Sequence, residues 1–461
     1  MDVSSPDPGI EAYMERKKNK PYRSDGKCSS EHCSRICHAD NSFCILHLPE
    51  EIKDTLELWE ETNNFLREEI RSGESEFKGM IVKDLDLSNS TYSQRLDFSH
   101  TSYLGSFLCT GSVFKLPFIA KDSIFQCPSD FSDSEFRSDV NFSDSTFNEI
   151  ARFRHTRFLG NSSFKRISFT HANFHDATFA LKCNFSPKHE DQTDQKPTFL
   201  IADFTGAQFE GGGSFDRCIM PNGDFQDSSI LNLSFREVNL DRVRFAGALM
   251  ESTYLSDSEW TVEIDRKQYK SLHDFLTVYD PRLIIREELE AKQLPDEEFE
   301  EKGEAYKKAE STYRRIKHSL ANEGDYEKAG EFYIHEMRMK RMRYQCSIGF
   351  LAKWNYFWNI LYSWTCGYGE RPKRVFLNAL LMIIVFTLLY YAGSGISKDD
   401  DESYDPSLKE CLYFSVVTFT TLGYGDYAPK SGFQLIAVFE AFFGAFTIAL
   451  FVLVFGRKVM R

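Results

Sequence analysis

The sequence predicts a multidomain chain: a right-handed quadrilateral parallel β-solenoid, then an α-helical hairpin, then an all-α membrane domain of two spans. Three observations lead there. Phe recurs at steps of five or six residues over much of the first half, a beat that neither a 3.6-residue helix nor a two-residue strand produces. A charged stretch with helical spacing follows, and two apolar stretches of membrane-crossing length lie near the C-terminus. With 461 residues the chain has room for about three domains. Its 42 Phe against 5 Trp point to a repeated slot for one flat ring. The net charge of -14 argues against a nucleic-acid partner, since phosphate binding draws on clustered Lys and Arg.

Residues 1–26 are polar, with Pro, Asp, Ser and a Lys-rich run, and are expected to be a disordered tail. They hold no apolar run of secretory-signal length, so this end is expected in the cytoplasm. The 11 Cys are odd in number and mostly scattered, unlike a disulfide framework. Four of them crowd into residues 27–48, where Cys28, Cys33, Cys44 and His47 have the spacing C-x4-C-x10-C-x2-H. Two loops so spaced can converge on one tetrahedral ion, so a zinc-binding knot of closed, structural type is expected. Cys37 stands as a substitute ligand, His32 and His38 are further alternatives, and unligated cysteines in a tail are the competing reading. Residues 49–75 repeat apolar side chains at three and four and read as one amphipathic helix.

Over residues 80–256 the beat runs through Phe131, Phe136, Phe142, Phe147, Phe153, Phe158, Phe164, Phe169, Phe174 and Phe179. It resumes from Phe199 to Phe245, with Met220, Ile230 and Leu240 in some slots. Two residues before a ring the side chain is small, as at Ser134, Ser145, Ala151, Ala172, Ala177, Cys183, Ala202, Ala207 and Cys218. Large and small residues alternating inward fill an interior too narrow for two large ones. Ala172-Asn173-Phe174, Ala202-Asp203-Phe204 and Val238-Asn239-Leu240 resemble the A-(D/N)-L-x-x pattern of the pentapeptide repeat family. That resemblance implies a four-faced coil of about twenty residues per turn, about eight turns, and a rod about 40 Å long at the usual strand spacing. Pro187 to Lys196 is expected to protrude as a loop. The rod reads as a stiff scaffold or as a docking surface.

Residues 260–346 form the expected hairpin linker, with its turn at Asn322-Glu323-Gly324-Asp325 and with Tyr326, Ala329, Tyr333 and Met337 on one face. It resembles a single tetratricopeptide-type repeat and is expected to join rod to membrane. Residues 350–372 gather Trp354, Trp358 and Trp364 with Tyr and Phe, rings that favour the headgroup level, so an interfacial helix is expected. Gly367-Tyr368-Gly369 lacks preceding threonines and precedes a span, so it is set apart from the similar tripeptide further on.

In residues 373–461 the spans are placed at 375–392 and 433–455, about 27 and 34 Å as helices. Arg371, Lys373 and Arg374 precede the first, Arg457, Lys458 and Arg461 follow the second, and the acidic loop Ser397 to Asp405 lies between. Cation bias puts both termini in the cytoplasm of a two-span protein of the cell membrane. A re-entrant helix is expected at 408–420, followed by Thr421-Leu422-Gly423-Tyr424-Gly425-Asp426, which is similar to the selectivity filter (421–425) of potassium channels.

That resemblance to two-transmembrane potassium channel pores implies a tetrameric ion-channel domain: a homotetramer in the lipid bilayer, with K+ as permeant ion. Carbonyls of Thr421, Leu422, Gly423 and Tyr424, with the Thr421 hydroxyl, would replace the ion's water, and Gly423 and Gly425 would permit the dihedrals. Thr420 and Asp426 would support the filter. Gly444 falls where such channels commonly carry a gating hinge, and Phe451 and Phe455 could form a dewetting gate. Val417 stands where many relatives place a pore-helix carboxylate, whereas Glu440 puts one in the second span. The acidic loop reads either as a ring that concentrates cations at low salt or as an ordinary solvated loop.

No span carries repeated arginines, which removes a voltage sensor of the usual type. The short stretch after the second span leads us to expect gating from the N-terminal side, through an unknown ligand or protein partner. No hydrolase or transferase constellation is visible. The rival readings are a weakly selective cation channel and a membrane-anchored interaction scaffold.

Overall fold

The computed structural model describes residues 27–30, 33–38, 43–187, 196–260, 284–398, 401 and 403–460. The expected tail 1–26, His32, most of the loop from Pro187 to Lys196, the start of the hairpin linker, and Asp399, Asp400 and Glu402 lie outside the described residues. Two compact units form: described residues within 27–260, 284–293 and 311–325, and within 294–310 and 326–460.

In the first unit, the residues expected as one helix fold as two, α1 (Glu50–Thr55) and α2 (Trp59–Arg71). Glu57 takes a left-handed φ of 53°, and Leu58 N–H reaches back to the Lys53 carbonyl at 2.9 Å while Glu57 N–H bonds that of Asp54 at 3.3 Å. This pair of bonds closes a helix end. The break lets Lys53, fully buried, donate to the carbonyls of Leu46 (3.2 Å) and Ile81 (2.5 Å).

From Ile81 onward, short strands pair in parallel with the coil before and after them. Two of the four faces fuse into one sheet because Thr146–Arg152 is long enough to turn a corner: Phe147 pairs with Phe125, and Ala151 with Ser129. A seven-stranded face runs from Leu96–Asp97 to Leu233–Ser234, and Ser234 bridges on to Tyr254. The coil is not uniformly twenty residues. Partners in the early coils stand 22 apart, as Ser112 to Ser134, and shorten to 20 later, as Asp216 to Arg236, because six-residue steps alternate with five in the early coils and stop after Phe215.

The rings pile into columns along the axis: Phe125 over Phe147 at 4.2 Å and 3°, Phe131 over Phe153 at 4.6 Å and 5°. Between faces they meet edge-on, as Phe131 and Phe142 at 5.3 Å and 81°. Both arrangements suit the ring quadrupole, and each buried ring contributes about 1.5–3 kcal/mol of transfer free energy. Small slots that hold a hydroxyl are also satisfied. Ser112, Ser134 and Thr156, all buried, donate to the carbonyls of Leu87 (2.7 Å), Cys109 (2.5 Å) and Phe131 (2.8 Å).

The last coil's edge amides are met by carboxylates. Glu287, in α3 (Arg286–Gln293), accepts from Phe245 N–H at 2.7 Å; Glu323 accepts from Leu255 and Ser256 N–H at 2.8 and 2.9 Å. Burial raises the Glu287 carboxyl to about 7, and its Oε2 has no hydrogen-bond partner among the described residues.

The second unit holds residues 299–310 of α4 (Phe299–Asn322), then α5 (Tyr326–Gln345), α6 (Phe350–Cys366), α7 (Pro372–Ala392), α8 (Leu408–Phe419) and α9 (Gln434–Val459). Helices α7 and α9, of 21 and 26 residues, are long and apolar enough to cross a membrane. Helix α6 exposes Phe350, Leu351, Trp354, Phe357, Trp358 and Trp364. Gly367-Tyr368-Gly369 makes the elbow between α6 and α7. There Tyr368, buried with φ 59°, donates to Asn359 Oδ1 at 2.7 Å and accepts at its carbonyl from Tyr362 at 3.1 Å. Asn378, the polar interruption of the first span, donates to the terminal α6 carbonyls of Trp364 and Thr365 at 3.1 and 3.0 Å.

Candidate functional site

The stretch between the two apolar helices is built outward from α8. Ser407 and Glu410 cap its start reciprocally: Ser407 Oγ accepts from Glu410 N–H at 3.4 Å, and the Glu410 carboxylate accepts from Ser407 N–H at 2.8 Å. Tyr404 and Tyr427 also donate to Glu410, at 2.7 and 3.3 Å. The Ser407 amide first, then Tyr404, holds this carboxyl well below the usual carboxylate range. Ile396–Ser397 pairs antiparallel with Ala428–Pro429, and Lys430 donates to the Tyr404 carbonyl at 2.8 Å, framing the segment that leads into α8. Under it, Phe433 fills the space beside Gly393, where a Cβ would stand 2.1 Å from its ring.

Helix α8 ends at Phe419, where Thr420 N–H bonds the Val416 carbonyl at 2.9 Å and Leu422 N–H bonds that of Val417 at 3.0 Å. The chain then alternates in hand: φ is 56° at Thr421, 56° at Gly423 and 80° at Gly425, but not positive at Leu422 or Tyr424. Alternating hand turns successive carbonyls to one side. A Cβ on Gly423 or Gly425 would meet nothing within 4 Å, so it is the dihedral that calls for glycine there. Thr421 Oγ1 donates to the Thr420 carbonyl at 2.7 Å, and Leu422 and Tyr424 are exposed.

Of the residues singled out in α9, Gly444 lies against α8: a Cβ there would sit 2.1 Å from the Phe419 carbonyl oxygen. Phe451 and Phe455 stack on one another at 5.8 Å, with Phe451 packed on the cluster Cys366, Val375 and Val454 and Phe455 exposed. Glu440 is fully buried, contacts the Ser415 hydroxyl and accepts from Tyr390 at 2.8 Å. Ser415 and Tyr390 carry no sequence signal for this role, since they reach Glu440 from two other helices.

The Cys and His cluster forms a separate candidate centre in the first unit. The ligand atoms of Cys28, Cys33, Cys44 and His47, all buried, lie within 4.8 Å of one another. Cys37 is outside the group and partly exposed. Cys33 and Cys44 Sγ are 3.8 Å apart, and His47 Nδ1 is 3.0 and 3.6 Å from Cys44 and Cys28 Sγ. Tetrahedral zinc with bonds near 2.3 Å to sulfur needs edges of about 3.5–3.8 Å, so the set fits after a small outward shift of Cys44 or His47. His47 Nε2–H donates to the Lys78 carbonyl at 2.7 Å, which leaves Nδ1 free to ligate. Hydrogen bonds from Cys28 and Cys44 hold Cys33 well below the usual thiol range. The bond to Cys33 raises Cys28 and that to Cys28 raises Cys44, with burial adding to both.

Comparison with known proteins agrees with the two architectures. Residues 378–461 match a family model described as ion channel, and residues 120–168 one described as pentapeptide repeats (9 copies). Neither is an enzyme family. The human potassium voltage-gated channel subfamily A member 6 is 36% identical over 82 residues, 18% of this chain. The chain spans 15% of that relative's length. The crystal structure of HetL, a pentapeptide repeat protein involved in heterocyst differentiation regulation from the cyanobacterium Nostoc sp., aligns with 42% of this chain and 92% of its own, at 11% identity and a TM-score of 0.16. The chain carries a two-span ion channel domain in its C-terminal part and a pentapeptide-repeat β-solenoid before it.

Proposed function

We propose that this chain is one subunit of a homotetrameric, potassium-selective channel of the cell membrane. The observation that carries the reading is the segment Thr421–Gly425, with its alternating backbone hand, placed directly after a capped helix between two membrane-length helices. One chain offers one oxygen per level, and a dehydrated cation needs several, so four copies around an axis complete each site. Thr421, Leu422, Gly423 and Tyr424 supply carbonyls, and Thr420 and Asp426 hold the filter. Conduction is passive and down the gradient.

Both termini lie in the cytoplasm in this reading, and gating input reaches the first span from the N-terminal domains through an unidentified ligand or protein partner. Cys28, Cys33, Cys44 and His47 hold a structural zinc ion, whose binding would tie the knot to the solenoid's first coil through His47 and Lys78. The stacked pair Phe451 and Phe455 sits at the inner end of the second span and serves as the gate.

The test is the reversal potential of purified protein in bilayers under a potassium-to-sodium gradient, for wild type and for Gly423→Ala. A reversal near the potassium equilibrium potential, abolished by the substitution, is expected. A wild-type current that reverses near zero would reject potassium selectivity.

A further inference from the structure

Glu440 stands on α9, wholly inside the membrane domain and with none of its surface exposed. Its two oxygens are taken by two other helices: the Ser415 hydroxyl of α8 donates to Oε1, and the Tyr390 hydroxyl of α7 donates to Oε2 at 2.8 Å. Ser415 Oγ lies also 3.1 Å from the Ile383 carbonyl of α7. One side chain thus ties all three helices of the domain. Four residues on in both α8 and α9, the Phe419 carbonyl rests in the space of the absent Gly444 side chain. Helix α8 is therefore gripped by α9 at two points one turn apart, and the second grip is two residues before Thr421.

A carboxyl group at membrane depth is expensive, and a Leu or Met would fill this volume without that penalty. Packing alone gives no reason for an acid, two hydroxyls and a backbone carbonyl in one dry cluster. A bidentate acceptor fixed to α9 does fix the height and rotation of α8, on whose end the filter is mounted.

We propose that Glu440 is a positioning residue for ion selection: through Ser415 it sets the height of α8 and with it that of the Thr421–Gly425 carbonyls. This rests on the potassium-selective reading above.

The test uses full-length protein in bilayers with potassium and sodium on opposite sides. Glu440→Ala is expected to lower the potassium-to-sodium permeability ratio about tenfold, and Ser415→Ala severalfold. The double variant should be no worse than Glu440→Ala, and Glu440→Gln, which keeps an acceptor and a polar partner, should recover most of the loss. Glu440→Ala reversing with the wild type, or losses that multiply in the double variant, would overturn the proposal. If Glu440→Ala does not assemble, Ser415→Ala decides alone, and an unshifted reversal potential there counts against it. Calorimetric K+ binding to the same proteins gives the comparison without an open gate, with about tenfold weaker binding expected in Glu440→Ala. A non-selective wild type rejects the channel reading itself, whereas a selective wild type with indifferent variants rejects only the role of Glu440.

Discussion

The Phe419 carbonyl oxygen lies 2.1 Å from the point where a Cβ on Gly444 would stand, so this glycine is a seat for α8 whatever else it does. The obstructing atom is backbone at a helix end and cannot swing aside. Gly444→Ala should push α8 from α9, costing about 1–3 kcal/mol as other overpacked sites do. Thermal melting of full-length protein in detergent should fall by several degrees, and unitary conductance should drop. A variant that melts like the wild type and changes open probability alone would make Gly444 a hinge instead.

The cluster of Cys28, Cys33, Cys44 and His47 makes a second prediction, because each residue is buried and offers one ligand atom. Cys44→Ala should release about one zinc per chain, and Cys37→Ala none, by elemental analysis of purified protein. The melting temperature should fall with Cys44→Ala, since the buried Leu46 and Leu48 flank the site and depend on its closure. A preparation without bound metal, or equal metal in both variants, would count against the site.

Much of this was readable in one dimension because its determinants are periodic or contiguous. The Phe beat reports a packing slot that every coil repeats, and the motif Thr421 to Asp426 is six adjacent residues. What escaped depends on partners far along the chain. The coil length of 22 follows from where six-residue steps fall and shows only in the strand register. The break after α1 hinges on a left-handed Glu57, a residue with no turn preference, and it accompanies the bonds of Lys53 to carbonyls as distant as that of Ile81. Glu440 stood out as an acid in a span, but Tyr390 and Ser415 are 50 and 25 residues away, beyond any local pattern.

Glu287 carries a pH prediction. Burial lifts its carboxyl to about 7 from an ordinary value of 4.5, so the folded protein prefers the neutral form. Stability from this group is full below the unfolded value and is lost as pH rises from about 4.5 through about 7. Glu287→Gln keeps an acceptor for Phe245 N–H and removes the charge. Its melting temperature should exceed that of the wild type at about pH 8, above the titration range, and equal it at about pH 4, below that range. A gap between the two proteins that does not change with pH would refute the assignment.

Arg371 and Glu331 give the last prediction, on gating. Arg371 precedes the first residue of α7 and pairs with Glu331 of α5 at 2.5 Å, both largely shielded from water, while Arg457 at the C-terminal end of α9 reaches Glu370 at 3.1 Å and lies over the Tyr333 ring at 5.7 Å. Helix α5 therefore holds the N-terminal end of α7 and the C-terminal end of α9 within one unit, at Glu331 and at Tyr333. If signals reach the pore from the N-terminal side, these contacts lie on their route, remote from the filter. Glu331→Gln should change open probability by about threefold to tenfold, since a shielded pair contributes more than the roughly 0–1 kcal/mol of an exposed one. The reversal potential should stay at the wild-type value, because no filter contact is touched. The double variant Glu331→Arg with Arg371→Glu should return open probability toward wild type by restoring the pair in reverse. Single-channel recording checks all three, and a shifted reversal potential in Glu331→Gln would show that α5 acts on selection and not on the gate.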